Sequence, residues 1–224
     1  MIVLIGSEGS MGRRYQAILN HLGERFVCFD KEHSVGEIQK AVDTCDRIII
    51  ASPTDTHAYY LSCFLMSRKP ILCEKPITKD ISELEALISF CKDNDVSFTM
   101  MMQYQELLNE GSVGETTVYD YFRTGPDGFP WDAFQPVALA QDAVIIDNKS
   151  PIWCCVINGQ YLSFSSMDRA YVSFVRDWLC GRVTTDLDTY LKWHKKVEAY
   201  GKAAGYLNRD TSPVNLDQVP SQNL

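Results

Sequence analysis

The first fourteen residues, M-I-V-L-I-G-S-E-G-S-M-G-R-R, constrain the fold more than any other part of the sequence. An apolar run from Met1 to Ile5 suits a strand that is buried on both faces. Three glycines follow at three-residue spacing, Gly6, Gly9 and Gly12. Gly6 allows a tight turn, Gly9 lets a pyrophosphate approach the backbone, and Gly12 lets a helix pack closely on the strand. The pattern predicts a strand, a phosphate-binding turn and a helix.

The residues that follow support this interpretation. Apolar side chains recur at helical spacing and a glycine ends the pattern: Met11, Tyr15, Ile18, Leu19, Leu22 and Gly23. Ser10 is placed to cap this helix. The free N–H groups of its first turn, which includes Met11, would bind the phosphates.

A second predicted strand, Phe26 to Phe29, ends on Asp30. An acid about 20 positions past the glycines holds the adenosine ribose hydroxyls in dinucleotide-binding folds. NAD is favoured, because a 2′-phosphate beside this carboxylate would meet a repulsion of roughly 4 kcal/mol at 4 Å and an effective dielectric of 20. Lys31 and the Arg13-Arg14 pair lie close enough in sequence to reduce that repulsion, so NADP stays an alternative. The competing interpretation of Asp30 is a solvated loop acid.

Composition predicts an ordinary soluble protein in the cytoplasm. The 224 residues are 46% hydrophobic, so they can bury one large or two modest cores. A net charge of −8, with no cluster of Lys and Arg, argues against nucleic-acid binding. We expect neither a membrane span nor a signal peptide, because no apolar run approaches ~20 residues and the first strand begins at Met1. Eight cysteines without a C-x-x-C spacing predict reduced core thiols and no metal site.

Strand and helix patterns alternate over the first hundred residues, which predicts a doubly wound parallel sheet. The remaining predicted strands are Arg47–Ala51, Pro70–Cys73 and Val96–Met102, and capping boxes at Ser34 and Asp80 begin helices. Ligands of such sheets lie beyond the carboxyl ends of the strands. Two strand ends carry polar residues there. These are Ser52, Pro53, Thr54 and His57 after the third strand, and Glu74 and Lys75 after the fourth. For Glu74 and Lys75 a surface ion pair is the competing interpretation.

These motifs together resemble the Gfo/Idh/MocA oxidoreductase family. The resemblance rests on G-x-x-G-x-x-G at the amino end, P-T-x-x-H after the third strand and E-K-P after the fourth. It implies hydride transfer between nicotinamide and a secondary alcohol or carbonyl of a sugar-like substrate. By this resemblance Glu74 contacts the nicotinamide ribose, and Lys75 lies beside the substrate and assists proton transfer. It also implies a homodimer or higher homo-oligomer.

The second half predicts a smaller α+β domain with a reduced antiparallel sheet, giving domains at residues 1–102 and 103–224. Strand patterns lie at Thr116–Phe122, Ala143–Ile146, Ile152–Ile157 and Gln160–Phe164, with Asn158-Gly159 as a hairpin turn. A short helix is predicted near residues 131–140 and a longer one from Met167 to Cys180, capped by Ser165 or Ser166. By the resemblance, a last helix over residues 185–204 packs back on the nucleotide domain.

The family's Asp-x-x-x-His motif is missing at the expected place. The nearest candidates are Asp132 and Gln135, whose i, i+3 spacing puts both on one helix face. By the resemblance, this face lies close to Lys75. Gln135 cannot act as a general base, so Lys75 alone, or Lys75 with Asp132, would transfer the proton. The alternatives are that Asp132 is only a helix cap, and that the chain is a non-catalytic dinucleotide-binding protein, a sensor or assembly partner.

Overall fold

The computed structural model describes residues 1–108, 116–119, 134–139, 143–146, 155–157, 160–162, 164–183 and 186–203. Five parallel strands form its main sheet in the order β2-β1-β3-β4-β5. Their bounds are β1 Ile2–Ile5, β2 Phe26–Phe29, β3 Arg47–Ile50, β4 Ile71–Cys73 and β5 Thr99–Met100. The chain crosses from β1 to β2 on one side of β1, and it then crosses back to form β3 on the other side of β1. The switch point of this Rossmann-type sheet therefore lies between β1 and β3.

The connecting helices confirm the predicted alternation. They are α1 Ser10–His21, α2 Val35–Thr44, α3 His57–Phe64 and α4 Ile81–Asn94. The Ser34 box that begins α2 is confirmed, and the carboxylate of Asp80 caps α4 by accepting from Ser82 N at 2.8 Å. The cap of α1 differs from the prediction. Gly9 is its N-cap and makes no side-chain bond, while Ser10 is already the first helical residue.

The remaining elements follow the nucleotide half. They are α5 Tyr104–Leu108, β6 Thr116–Tyr119, α6 Phe134–Leu139, β7 Ala143–Ile146, β8 Cys155–Ile157, β9 Gln160–Leu162, α7 Phe164–Leu179 and α8 Leu187–Ala203. Strands β8 and β9 pair antiparallel, with Ile157 opposite Gln160. The predicted turn residues Asn158 and Gly159 between them lie outside the described residues. Helix α7 begins before Ser165 and Ser166, which lie in its first turn rather than at its cap.

Strands β6 and β7 differ from the predicted antiparallel arrangement. They pair parallel, from Thr116 opposite Ala143 to Tyr119 opposite Ile146. A parallel pair needs a crossover of a dozen or more residues. Residues 120–142, which contain α6, are long enough to supply it. The alternation along each strand could not distinguish the two directions of pairing.

Helix α8 packs against the nucleotide half. The Tyr190 hydroxyl accepts from Met100 N at 3.1 Å, and the Lys92 ammonium lies 2.7 Å from the carboxylate of Asp188. His194 on the same helix is 2% exposed, so it belongs to the core. The division into domains at residue 102 stays a prediction.

Basic side chains close three helix ends at the amino edge of the sheet. Arg68 donates to two carbonyls at the end of α4, Lys69 to the carbonyl of Cys45 after α2, and Arg47 to the carbonyl of Leu179 in α7. Cations at helix carboxyl ends satisfy terminal carbonyls and oppose the negative end of the dipole. These positive charges therefore have a structural role. Within the described ranges, no helix is both long and apolar enough to cross a bilayer.

Candidate dinucleotide-binding cleft

A cleft of about 670 Å³ lies at the carboxyl edge of the sheet, beside the switch point. Nearly every predicted site residue lines it: Gly6, Gly9, Ser10, Met11, Asp30, Ser52, Pro53, Thr54, His57, Glu74 and Lys75. Ala51, Asp55, Lys79 and Tyr171 complete the lining. The structure thus brings together side chains from the glycine-rich turn, the tip of β2 and the ends of β3 and β4. Gly12 lies beneath the turn and is buried.

The three glycines of the turn have different surroundings. A Cβ at Gly6, whose φ is +85°, would lie 2.4 Å from the backbone of Ser52. A Cβ at Gly12 would lie 2.1 Å from the carbonyl oxygen of Gly6. A Cβ at Gly9 would meet nothing nearer than the Gly6 oxygen at 3.5 Å, an ordinary contact. Gly6 and Gly12 are therefore required by the fold, whereas at Gly9 the missing side chain keeps open space in the cleft.

The amino end of α1 faces this space. Its N-cap Gly9 contributes no side-chain bond, and its first turn contains no acidic residue. The first N–H groups of a helix have no partner within the helix, and the dipole makes this end positive. The arrangement fits an anionic diphosphate.

Asp30 is held at the tip of β2 by the backbone. Its Oδ2 accepts from Glu8 N at 2.7 Å and its Oδ1 accepts from Lys31 N at 2.8 Å. The first bond ties the carboxylate to the glycine-rich turn. Each carboxylate oxygen has a second lone pair, so Asp30 keeps acceptor capacity for two ribose hydroxyls.

Glu74 is almost completely buried at the floor of the cleft, with 4% of its surface exposed. Its Oε1 accepts from the Tyr15 hydroxyl of α1 at 2.8 Å, and its Oε2 accepts from the backbone N of Lys75 at 3.2 Å. Burial raises the pKa of Glu74, and the neighbouring Lys75 ammonium and the Tyr15 bond oppose that rise. The competing interpretation of Glu74 as part of a surface ion pair is therefore wrong.

His57 connects the two loops that follow β3 and β4. Its Nδ1 lies 2.8 Å from the carbonyl oxygen of Pro76, and its Nε2 lies 2.7 Å from that of Ser52. The ring is 1% exposed, and this burial lowers the pKa of His57, while the two carbonyls favour its charged form. His57 thus links the loop after β3 to the loop after β4, and residues of both loops line the cleft.

The predicted catalytic helix face is arranged differently. Gln135 does not line the cleft: its Oε1 accepts from Tyr104 N at 3.0 Å, and its Nε2 donates to Gln103 Oε1 at 2.5 Å. Both ends of this buried amide are therefore occupied by neighbouring protein groups. Asp132 lies outside the described residues, so its role stays a prediction.

Tyr171 is one of the cleft residues that the sequence interpretation missed. Helix α7 brings it to the cleft, where its ring lies 4.9 Å from the guanidinium of Arg14. Burial raises the pKa of the Tyr171 hydroxyl, and Arg14 and Gln103 interact with this hydroxyl and act to lower its pKa. In the sequence, Tyr171 lies at helical spacing with Phe174, Val175 and Trp178, and such an apolar stripe is typical of a core position. The hydroxyl group of a tyrosine within that stripe was the signal that could have identified it as a cleft residue.

Lys79 and Asp55 were also missed. They form an ion pair of 2.8 Å and both line the cleft. Across the parts of the chain that the structure describes, no three His, Cys, Asp or Glu side chains group as metal ligands.

The fold and this cleft define a dinucleotide-binding protein of the Rossmann type. Residues 14–102 match the Gfo/Idh/MocA family model, described as an oxidoreductase family with an NAD-binding Rossmann fold. This match over residues 14–102 is to the same family that the sequence motifs resemble.

Curated relatives match about half of the chain. Inositol 2-dehydrogenase of Rhizobium meliloti is 27% identical over 108 residues, which are 44% of this chain and 32% of that protein. The scyllo-inositol 2-dehydrogenase (NADP(+)) IolU of Bacillus subtilis is 30% identical over 142 residues, covering 54% of this chain and 42% of that protein. The chain spans less than half the length of these curated relatives.

Solved structures share the fold over most of the chain. The WlbA (WbpB) dehydrogenase from Thermus thermophilus, in complex with NAD and UDP-GlcNAcA, has a TM-score of 0.65 and 13% identity, covering 89% of this chain and 94% of that one. A putative myo-inositol dehydrogenase from Sinorhizobium meliloti has a TM-score of 0.63 and 15% identity, covering 91% and 97%.

Proposed function

We propose that the chain binds NAD in this cleft and transfers a hydride between the nicotinamide and a secondary alcohol or carbonyl of a sugar-like substrate. The observation that carries the proposal is the convergence of a glycine-rich turn, Asp30 and the Glu74-Lys75 pair on one cleft. The relatives named above support the reaction class, since their names describe dehydrogenases of inositols.

Each part of the cleft has a distinct binding role in this proposal. The turn at Gly6, Gly9 and Gly12, with Ser10 and Met11 of α1, holds the diphosphate. Asp30 accepts from the adenosine ribose hydroxyls. Glu74 accepts from the nicotinamide ribose, and Ser52, Pro53, Thr54 and His57 form the wall between the two ribose sites.

Proton transfer falls to the protein. Bound NAD would supply the hydride acceptor for the oxidation of a secondary alcohol, so a protein group must accept the hydroxyl proton. The Lys75 amine takes that proton, and in the reverse direction its ammonium returns it to the developing alkoxide. Tyr171 lies in the same cleft and orients the substrate with its hydroxyl. Gln135 acts indirectly, by holding the side chain of Gln103 with a hydrogen bond.

The substrate class is inferred from chemistry and from the relatives. A sugar or inositol ring offers a secondary alcohol flanked by other hydroxyls, which Lys79, Asp55 and Tyr171 could bind. One structural neighbour was solved with UDP-GlcNAcA, and a further relative is a D-xylose 1-dehydrogenase. We therefore propose a polyol, a sugar or a sugar nucleotide as substrate.

Lys75→Ala provides the test. Titration with NADH, followed by a screen of inositols, aldoses and UDP-sugars at 340 nm, should identify turnover by the unaltered protein. Lys75→Ala should then abolish turnover and leave the NADH Kd within about threefold. Lys92→Ala, which removes an ammonium on the α4–α8 surface, is the matched control and should change neither. Turnover retained in Lys75→Ala would exclude the proposed proton transfer.

We also propose a cytoplasmic homodimer. Buried free thiols at Cys45, Cys73 and Cys91 are consistent with a reducing compartment. The dimer proposal rests on the apolar strand patterns at Thr116–Phe122 and Ile152–Ile157. Light scattering coupled to size exclusion should give twice the chain mass of 25.4 kDa. A monomer at micromolar concentration would contradict it.

A further inference from the structure

Two buried histidines contact the turn that carries Lys75. The turn follows β4 and continues through Pro76 to Ile77. From α3, His57 Nδ1 lies 2.8 Å from the carbonyl oxygen of Pro76. From α8, His194 Nε2 accepts a hydrogen bond from Ile77 N at 3.0 Å. Residues from two distant parts of the chain therefore hold the carbonyl and the N–H of one peptide group, the one that joins Pro76 to Ile77.

The surroundings of His194 determine how it bonds. Its Nδ1 lies 2.7 Å from the carbonyl oxygen of Tyr190, so this nitrogen carries the proton and donates. Its Nε2 is then an acceptor, as the bond from Ile77 N requires. The ring is 2% exposed, and the Phe134 ring packs edge-on against it with centroids 4.8 Å apart. Both nitrogens are satisfied only in this neutral tautomer.

We propose that His194 is a positioning residue for Lys75, fixing the turn so that the Lys75 side chain is directed into the cleft. The inference rests on the proposed proton-transfer role of Lys75. His194 does not line the cleft, so its effect on a reaction passes through the backbone between Ile77 and Lys75. Misplacing a catalytic group by about 1 Å can cost about 100-fold in rate, so one bond two residues away is sufficient to matter.

A purely structural role for His194 makes a different prediction. In that case the bond from Ile77 only docks α8, and any α8 bond of the same kind should have the same consequences. Tyr190 supplies the comparison. Its hydroxyl accepts from the buried Met100 N at 3.1 Å, so it ties the same helix to β5 rather than to the Lys75 turn.

The test compares His194→Leu, His194→Gln and Tyr190→Phe. Leu fills the core without an acceptor, Gln retains an amide oxygen near the Nε2 position, and Phe removes the acceptor for Met100 N. We expect His194→Leu to lower kcat at least tenfold with the NADH Kd within threefold. We expect His194→Gln to recover most of that loss. Tyr190→Phe should lower Tm as His194→Leu does and leave kcat within twofold of the unaltered protein.

Two readouts do not need turnover. Amide exchange followed by NMR should show the Ile77 N–H losing protection in His194→Leu and keeping it in Tyr190→Phe. In NADH-bound protein with 13C-methylated lysines, the Lys75 resonance, assigned by its absence in Lys75→Arg, should shift or broaden only in His194→Leu. If the unaltered protein turns over no substrate, the proposed function fails, and these two readouts still decide the positioning role. An unchanged Lys75 resonance in His194→Leu, or equal loss of kcat in Tyr190→Phe, would overturn it.

Discussion

Gly9 and Gly12 are three residues apart, yet the structure predicts opposite consequences for an added methyl group. At Gly12 the new Cβ would lie 2.1 Å from the Gly6 carbonyl oxygen and 2.6 Å from the Ser7 Cα, both backbone atoms. Helix α1 would have to move away from β1. At Gly9 the nearest atom would be 3.5 Å away, and its φ of −69° and ψ of 166° suit alanine. Gly12→Ala should therefore damage the fold, and Gly9→Ala should damage binding.

The magnitudes follow from the local geometry. Alanine inside a helix gains about 1 kcal/mol over glycine, but overpacking against backbone costs about 3 kcal/mol at the upper end of its usual range. Gly12→Ala should lose about 2 kcal/mol net, which lowers Tm by roughly 4–8 °C in a chain of this size. Gly9→Ala loses only the preference for glycine at an N-cap, about 0.5 kcal/mol. Its methyl group displaces the diphosphate from the helix N–H groups, and one lost charge-assisted bond is about 1.5–3 kcal/mol, or about 10–100-fold in Kd.

Thermal melts and NADH titration measure both effects. Gly9→Ala should melt within about 2 °C of the unaltered protein and bind NADH at least tenfold more weakly. Gly12→Ala should melt well below both. Gly9→Ala binding NADH with unchanged affinity would show that the diphosphate does not lie over this residue. A Gly12→Ala protein of normal stability would refute the close packing of α1 on β1.

Three further substitutions test the charges around the cleft. Asp30→Ser should narrow the preference for NADH over NADPH measured by calorimetry, because it removes the carboxylate beside the 2′ position; a wider preference would contradict this role. Tyr15→Phe should raise the pKa of Glu74 further, because it removes the hydrogen bond that opposes the effect of burial. The pH midpoint of NADH binding should therefore move upward, and an unchanged midpoint would contradict this role of Tyr15. Burial lowers the pKa of His194 to about 4, against an ordinary value near 6.5. As the pH falls, the unfolded state therefore protonates this histidine before the folded state does. The free energy of unfolding should decrease between about pH 6.5 and about pH 4. His194→Gln should remove up to about 3 kcal/mol of that pH dependence in denaturant titrations, and an identical pH profile would contradict the assignment.

The fold of the nucleotide half was predictable because its signals are local. The positive φ of Gly6, the Ser34 capping box and the short apolar strands each depend on a few neighbouring residues. The direction of pairing between β6 and β7 depends instead on the crossover connection that a parallel pair needs. No local pattern specifies that crossover, and the antiparallel prediction was wrong for this pair.

The cleft was predictable to the same extent. Motifs placed the glycines, Asp30, Glu74 and Lys75 at strand ends, and the structure brings them together. The partners that hold those residues were not predictable. Tyr15 lies 59 positions from Glu74, and the bond between His194 and Ile77 spans 117 positions. Such contacts exist only once the sheet and the packing of α8 are known.

These long-range contacts bring side chains of the later helices to the part of the chain that is proposed to bind NAD and that carries Lys75. The groups proposed to bind NAD all precede residue 102, within or next to the part that matches the family. Tyr171, which lines the cleft, comes from α7, and His194, which contacts the Lys75 turn, comes from α8. Substitutions in these two helices should therefore alter kcat or KM and leave the NADH Kd unchanged. Substitutions in the glycine-rich turn should weaken NADH binding and lower turnover.

Tyr171→Phe tests this difference with the loss of a single hydroxyl group. Removing only the hydroxyl should lower kcat/KM for the substrate by about tenfold, the equivalent of one hydrogen bond of about 1.5 kcal/mol, and leave the NADH Kd unchanged. An equal loss of NADH affinity would instead show that Tyr171 contacts the cofactor, and it would contradict the proposed difference between the two parts of the chain.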